Sequence, residues 1–423
     1  MAIFTSISGL SAAQTYLDVT GHNIANASTV GFKNSRAEFA DVYSRTMATG
    51  CVSSQVGQGT YVTRAQQLFK QGSIDITGNS LDMGVSGDGF FVTKDPDGSI
   101  FYTRAGQFSV DRDGFVENAM GRKLQIFPLI SADPYDVTNA TFATSSSTAG
   151  LTDLELPSPL SEPRATANVV MALNLDSTET VPGVPFNPAN PASYNHSTAT
   201  TLHDSLGQVH PANMYFAKTG TNSWAMHVYA DDGTGVMQPA AGSPVALTFD
   251  ANGQLTTPAP PGTVPLNVTT ANGSVNPIAI NWDIGDLTQY GNSFDVNNLT
   301  QDGFAPGRLT SIDVDNTGVV TARYTNGRVR ALGQLALANF NNLQGLAKVG
   351  DTAWQETFAS GEVRIGAPGT SNFGGVTAGA LETSNTDVAA QMVDLILAQR
   401  NYQANAQAVS TEGTLIQTLL NIR

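Results

Sequence analysis

All 20 prolines of this 423-residue chain fall between Pro96 and Pro368, which leaves long stretches at both ends where nothing sterically breaks a helix. In the C-terminal stretch Ser384 and Asp387 read as a capping pair. After them Val388, Met392, Leu395, Gln399, Tyr402, Ala406, Val409, Gly413, Ile416 and Leu420 alternate spacings of four and three. This heptad seam predicts a helix from about Thr386 to Asn421, roughly 54 Å long. A rod of that length needs a partner along its whole side. The N-terminal stretch offers one, because Ile3, Ile7, Leu10, Gln14, Leu17, Gly21 and Ile24 follow the same alternation. The two ends are expected to pair with each other as a terminal coiled coil; two separate core helices of a globular domain would show the same period.

Gly9, Gly21 and Gly413 lie inside these segments, and a mid-helix glycine costs about 1 kcal/mol relative to alanine. Residues 1 to about 30 and about 384 to 423 are therefore expected to be largely disordered in the isolated chain. They would order when neighbouring subunits bury the seams, which makes the seams polymerisation surfaces.

Between the ends the pattern changes to strand-like runs separated by turn sequences, at Asp95-Pro96-Asp97-Gly98, Asp111-Arg112-Asp113-Gly114, Asp231-Asp232-Gly233, Asn252-Gly253 and Asn326-Gly327. Thr310 to Phe340 reads as a meander. Residues 150 to 285 hold 15 of the 20 prolines and ten acidic residues, against Arg164 and Lys218 as their fixed positive charges. That composition marks an inserted outer domain with a solvated acidic surface. The expected fold class is α+β and multidomain, a terminal α-helical coiled coil joined to mostly antiparallel β-domains in a nested plan. The expected divisions are terminal helices at 1–31 and 384–423, linkers at 32–70 and 366–383, an inner β-domain at 71–148 and 288–365, and the inserted outer β-domain at 149–287.

Charge narrows the function. A net charge of −15 and a pI near 4.6 leave no cluster of Lys and Arg to neutralise phosphate, so neither nucleic acid nor an anionic membrane is an expected partner. No run of about 20 apolar residues predicts membrane insertion. No Lys or Arg precedes Lys33 and no long apolar run opens the chain, unlike a secretory signal. The chain is expected to stay in the cytosol or to leave it by a route that cleaves no signal. Cys51, the single cysteine, completes neither a disulfide nor a zinc pattern and reads as a small apolar residue.

Patterns that carry chemistry are missing as well. His203, His210 and His227 fit no HExxH spacing. Asp313-x-Asp315-x-Thr317-Gly318 begins like a calcium loop, but Tyr324 stands at the twelfth position, where a bidentate Glu is needed. The glycines around Gly57, Gly59, Gly84, Gly87 and Gly89 match neither a P-loop nor a GxGxxG opening a helix. No catalytic residue, cofactor or metal is expected.

Three stretches carry a family resemblance. Leu17 to Lys33, LDVTGHNIANASTVGFK, with Asn23, Asn26, Gly31 and Phe32 as its marks, resembles the N-terminal signature of the flagellar rod and hook axial proteins. Gly379 to Val388, GALETSNTDV, with Ala398 to Ala406, AQRNYQANA, is similar to their C-terminal signature. Leu81 to Phe91, LDMGVSGDGFF, with Tyr102 to Phe108, YTRAGQF, resembles their inner β-domain.

The resemblance implies a non-enzymatic subunit of a helical tube, with terminal helices innermost, the inner β-domain around them and the outer domain on the surface. The large insertion, with Leu202 to Gln208 running into Tyr215-Phe216, resembles the hook-type members, whose flexible tube acts as a universal joint carrying motor torque from rod to filament. The partners so implied are further copies of itself, the distal rod protein, the hook-filament junction protein, the hook cap protein and the type III export apparatus. The implied location is the extracellular hook of the bacterial flagellum. Phe39-Ala40-Asp41-Val42-Tyr43 resembles the export-gate segment of such proteins through its aromatic pair, Phe39 and Tyr43. The same pair could instead pack the linker against the inner domain. Two other readings stay open at this point: a distal rod protein, and a secreted β-rich enzyme or adhesin with coiled-coil ends.

Overall fold

The computed structural model describes residues 2–42, 57–131, 133–145, 147–157 and 160–421. It consists of mostly antiparallel β-sheets and two terminal helices, divided into two compact units. The first comprises residues 1–157, 310–323 and 329–423; the second comprises 158–309 and 324–328.

The helices belong to the first unit: α1 (Ala2–Ala25) has 24 residues and α2 (Val388–Asn421) has 34. Asp387 caps α2, its Oδ1 accepting from the backbone N–H of Ala389 at 2.9 Å and of Ala390 at 3.2 Å. Ser384 does not share that task; its hydroxyl bonds Thr386 instead.

The sheet of this unit interleaves strands from both sides of the insertion. Its main path runs Leu309–Val314, Val319–Tyr324, Val329–Leu335, Lys123–Pro128, Phe90–Lys94, Ile100–Thr103, Ala353–Gln355 and Ala347–Gly350. Gln334 stands opposite Phe127, and Trp354 opposite Tyr102. Because successive strand residues point to opposite faces, neighbours separate into two cores. Phe91, Leu124, Ile126, Val320 and Leu335 fill one, while Phe90, Val92, Tyr102, Phe127, Phe340 and Trp354 fill the other. Each such side chain contributes on the order of 1.5–3 kcal/mol through its burial. The Asp315 turn joins two of the strands, its Oδ1 accepting from Thr317 N–H at 2.9 Å and Val319 N–H at 2.8 Å. The carboxylate therefore serves a hairpin.

The second unit is a sandwich of two sheets. One contains Asn168–Asp176, Thr263–Val268, Ile278–Asp283, Thr288–Tyr290 and Asp295–Gln301; the other contains His196–His203, Val209–Gly220, Ser223–Asp231, Met237–Pro239, Val245–Phe249 and Leu255–Thr257. Strict alternation along Ser223–Asp231 sends Trp224, Met226, Val228 and Ala230 inward. There they meet Val169, Met171, Leu173, Ile280 and Trp282 of the facing sheet.

The chain returns to the first unit after Leu309, not at 288. Thr288–Tyr290 and Asp295–Gln301 both pair with Asn168–Asp176, and Val296 and Leu299 pack on the sandwich core. The proline-rich composition that suggested the earlier boundary ends before the strand pairing does.

Candidate assembly interface

α1 and α2 run antiparallel side by side. Asn23 Nδ2 donates to Gln391 Oε1 at 2.9 Å, near the end of α1 and the start of α2. At the opposite end the helices approach so closely that a methyl group on Gly9 would meet Asn405 Oδ1 at 2.7 Å. Between them, burial and the neighbouring Asp394 carboxylate push the Tyr16 phenol above its ordinary range. At this register α1 begins near Glu412, and the last turns of α2 run past it with Leu415 and Ile416 exposed.

The contact within the chain is made only in part by the apolar stripes that periodicity selects. On α1 the buried residues are Ala12, Ala13, Thr20 and Asn23, small or polar, while Leu10, Leu17 and Ile24 are half-buried and Ile7 is exposed. On α2 Ala398 is fully buried, with Gln391, Leu395, Asn405 and Val409 half-buried around it. Val388, Met392, Tyr402 and Ile416 are exposed. Ile3 and Leu420 lie in α1 and α2 respectively. On α1 the contact thus lies one position away from the apolar seam, and on α2 Gln391, Ala398 and Asn405 make it beside the seam residues Leu395 and Val409. The hairpin keeps a large apolar surface in water: Phe4 is 72% exposed, Val393 58% and Ile396 50%, with Met392 and Leu397 beside them.

Beneath the hairpin the three family-like stretches converge. Asn23 Nδ2 also donates to the Ser35 carbonyl at 2.7 Å, and its Oδ1 accepts from Ser35 N–H at 2.9 Å. Asn26 holds the turn that ends α1, donating to the His22 carbonyl at 2.9 Å and accepting from Thr29 Oγ1 at 3.2 Å. Gly31 has φ +70°, and a Cβ there would collide with the backbone of Arg104 and Ala105. Phe32 is buried edge-on to His22, ring centroids 5.5 Å apart.

Lys33, Arg104 and Glu382 form a buried ionic cluster that the sequence reading did not single out. Lys33 Nζ donates to Glu382 Oε1 at 2.6 Å and to the Lys70 carbonyl at 2.8 Å. Arg104 donates to Glu382 Oε2 at 3.2 Å and to the Gly87 carbonyl at 2.9 Å. Gly72 N–H completes the carboxylate at 2.9 Å. Burial pulls the Lys33 ammonium below the ordinary lysine range, with Arg104 adding to that effect and Glu382 opposing it. Asn385 closes the junction, accepting from Asn34 N–H at 2.8 Å and donating to the Leu68 carbonyl at 2.7 Å. The signal was present in the sequence, since each of the three charges sits inside one of the quoted stretches of a chain with only 13% charged residues.

Phe39 lies in the strand Ser35–Asp41, partly exposed and edge-on to Tyr16 at 6.3 Å; Tyr43 and Cys51 lie outside the described residues. In the second unit His210 is fully buried, with Nε2 3.1 Å from Asp204 Oδ2 and Nδ1 2.8 Å from the Asp231 carbonyl. Among the described residues no group of three or more His, Cys, Asp or Glu could hold a metal, and no helix is long and apolar enough to cross a membrane.

Terminal helices that leave their apolar faces open, anchored by a buried junction to a β-rich body, define a structural subunit of the axial kind. Four family models match: flagella basal body rod protein at residues 3–33, the flagellar hook protein FlgE/F/G D1 domain at 84–154, the flagellar basal body protein FlaE D2 domain at 174–304, and the flagellar basal body rod FlgEFG protein C-terminal region at 377–422. The chain is 38% identical over 427 residues to flagellar hook protein FlgE of Salmonella typhimurium, with 100% of each covered. It is 38% identical over 428 residues to that of Escherichia coli, again with 100% of each covered. Against that of Borreliella burgdorferi it is 32% identical over 453 residues, covering 100% of this chain and 99% of the other. The crystal structure of Helicobacter pylori flagellar hook protein FlgE2 shares the fold with a TM-score of 0.54 at 15% identity, covering 73% of this chain and 100% of that one. The chain belongs to the flagellar hook protein FlgE family. Its class is structural and its place is the flagellar hook and basal body complex.

Proposed function

We propose that this chain polymerises into the flexible tube of the flagellar hook and that its terminal helices are the contact that holds the tube. The observation that carries this reading is the terminal hairpin itself, which satisfies its own inner side with small residues and leaves Met392, Val393, Ile396 and Leu397 in water. Heterologous contacts that do not close generate open helical filaments, and a helix face of this kind supplies one. Neighbouring copies bury Phe4, Ile7, Met392 and Ile396, and the glycine-weakened ends gain their full order as the seams fill. The inner helices give the tube torsional stiffness. The second units, with their polar surfaces, slide over one another as it bends, so that the hook works as a universal joint passing torque from rod to filament.

On this reading the subunit meets further copies of itself, the distal rod protein, the hook-filament junction protein and the hook cap protein. It reaches the cell exterior through the type III export apparatus without a cleaved signal, Phe39 belonging to the segment read at the export gate.

Negative-stain electron microscopy of the full chain beside one lacking residues 384–423, both driven to assemble by concentration, tests the proposal. Curved tubes from the full chain and none from the shortened one are expected. Tubes from both, or from neither, overturn it.

A further inference from the structure

Among the described residues of the first unit one aromatic side chain stands wholly in solvent. Phe358 is 105% exposed, yet the turn that carries it is held on every side. Thr357 N–H donates to Ser360 Oγ at 3.0 Å, Ser360 Oγ to the Thr357 carbonyl at 2.7 Å, Asn342 Nδ2 to the Ala359 carbonyl at 2.9 Å, and Thr357 Oγ1 to the Gly345 carbonyl. Ser360, two residues from Phe358, is fully buried. A rigidly mounted aromatic that no described residue covers has the form of an interface anchor, which binds without first losing conformational freedom.

The same unit carries a cleft large enough for such a group. A cleft of about 410 Å³ opens where α1 ends, lined among others by Val30, Phe32, Ala105, Met120, Lys348 and Trp354. Its charge complements the anchor. The Lys348 ammonium, 5.4 Å from the Phe32 ring centre, has no ion-pair partner among the described residues. The carboxylates flanking Phe358, those of Glu356 and Glu362, are exposed and likewise not ion-paired among the described residues. Asp351 also lines the cleft, so the match rests on Lys348 meeting one flanking carboxylate.

We propose that Phe358 of one subunit inserts into the cleft lined by Phe32, Met120 and Trp354 on the next copy, with Glu356 or Glu362 pairing with Lys348. A knob on one surface entering a pocket elsewhere on an identical molecule is a heterologous contact, which propagates instead of closing. The inference rests on the polymeric reading above and adds to it a second, β-domain contact apart from the helices.

The test places a photoreactive benzoylphenylalanine at 358 in the full chain, assembles it with an isotope-labelled copy and maps the crosslinks in the tubes. Crosslinks to labelled peptides containing Met120 or Trp354 are expected. Tubes in which position 358 links elsewhere, links to its own chain or does not link overturn this inference and leave the helix seam standing. Failure of the unsubstituted chain to form tubes overturns the polymeric reading and this contact with it. A Phe358→Ala variant should melt like the parent, since the side chain is fully exposed, and need about tenfold more protein to assemble. An unchanged assembly threshold also contradicts the contact.

Discussion

Lys33 and Glu382 lie 349 residues apart in sequence and 2.6 Å apart in space, with neither side chain reaching solvent. Their contact joins the segment leaving α1 to the segment entering α2. Arg104, on the other oxygen of the same carboxylate, ties both to the sheet. Removing one charge from such a cluster leaves the others buried without compensation. Glu382→Gln should therefore destabilise the first unit by about 3–5 kcal/mol, read as a lower urea midpoint. A loss below about 1 kcal/mol would mean that water reaches the cluster after all.

Gly31 shows why one position of the N-terminal signature admits no side chain. Its positive φ is strained for any other residue, and a Cβ would strike the backbone at Ala105. Gly31→Ala should cost about 2 kcal/mol or more and lower the melting temperature of the first unit. Gly21→Ala, where nothing lies within 4 Å of the added carbon, should instead raise helicity measured by circular dichroism.

The buried Asp204 makes the second unit sensitive to acid. Burial alone would push its carboxyl up, but donors from Asn272, His210 and the backbone N–H groups of Gln208 and Leu206 outweigh that and hold it below the usual range. A carboxylate lowered in the folded state binds fewer protons there than in the unfolded chain, so stability rises with pH across the interval. The contribution is complete above the unfolded aspartate value, near pH 4, and is lost as pH falls through the lower folded value. Asp204→Asn should be less stable at neutral pH and should lose less on acidification. Parallel pH profiles for the two proteins would contradict the assignment.

The chain enters and leaves the second unit at neighbouring points, since Leu160 bridges Arg308 and Ser161 N–H donates to the Gly307 carbonyl at 2.8 Å. A short glycine linker replacing 161–307 should leave a chain that still forms tubes, with curvature or supercoiling changed under the electron microscope. Complete loss of assembly would show that the second unit holds the tube as well as shaping its bend.

Much of this was legible in the sequence because steric rules act locally. The absence of proline before Pro96 and after Pro368 marks where helices can run, and the Asp-Gly and Asn-Gly pairs mark where strands turn. The helix contact was harder to read. Periodicity finds the most apolar stripe, whereas the partner within the chain lies along Gly9, Ala13, Thr20 and Asn23, one position away, where small side chains let the helices approach. The end of the insertion was misplaced because Asp295–Gln301 looks like any polar edge strand until its partner, Asn168–Asp176, is known. Lys33, Arg104 and Glu382 each stand out as a charge inside a quoted stretch, but pairings across hundreds of residues leave no local trace that joins them into one site.

The measurement that bears most directly on the helix seam is the assembly of a full-length Ile396→Glu variant, followed by sedimentation and electron microscopy beside a Gln403→Glu control. Ile396 is half exposed in the single chain, so the charge should leave the monomer's fold and melting temperature unchanged. Inside the tube it would lie buried against a neighbouring copy, where an unpaired carboxylate costs several kcal/mol. The expected result is a folded monomer that forms no tubes at concentrations where the parent and the control assemble. Tubes forming as readily as those of the parent would show that this face stays in water, and that the hook is held together elsewhere.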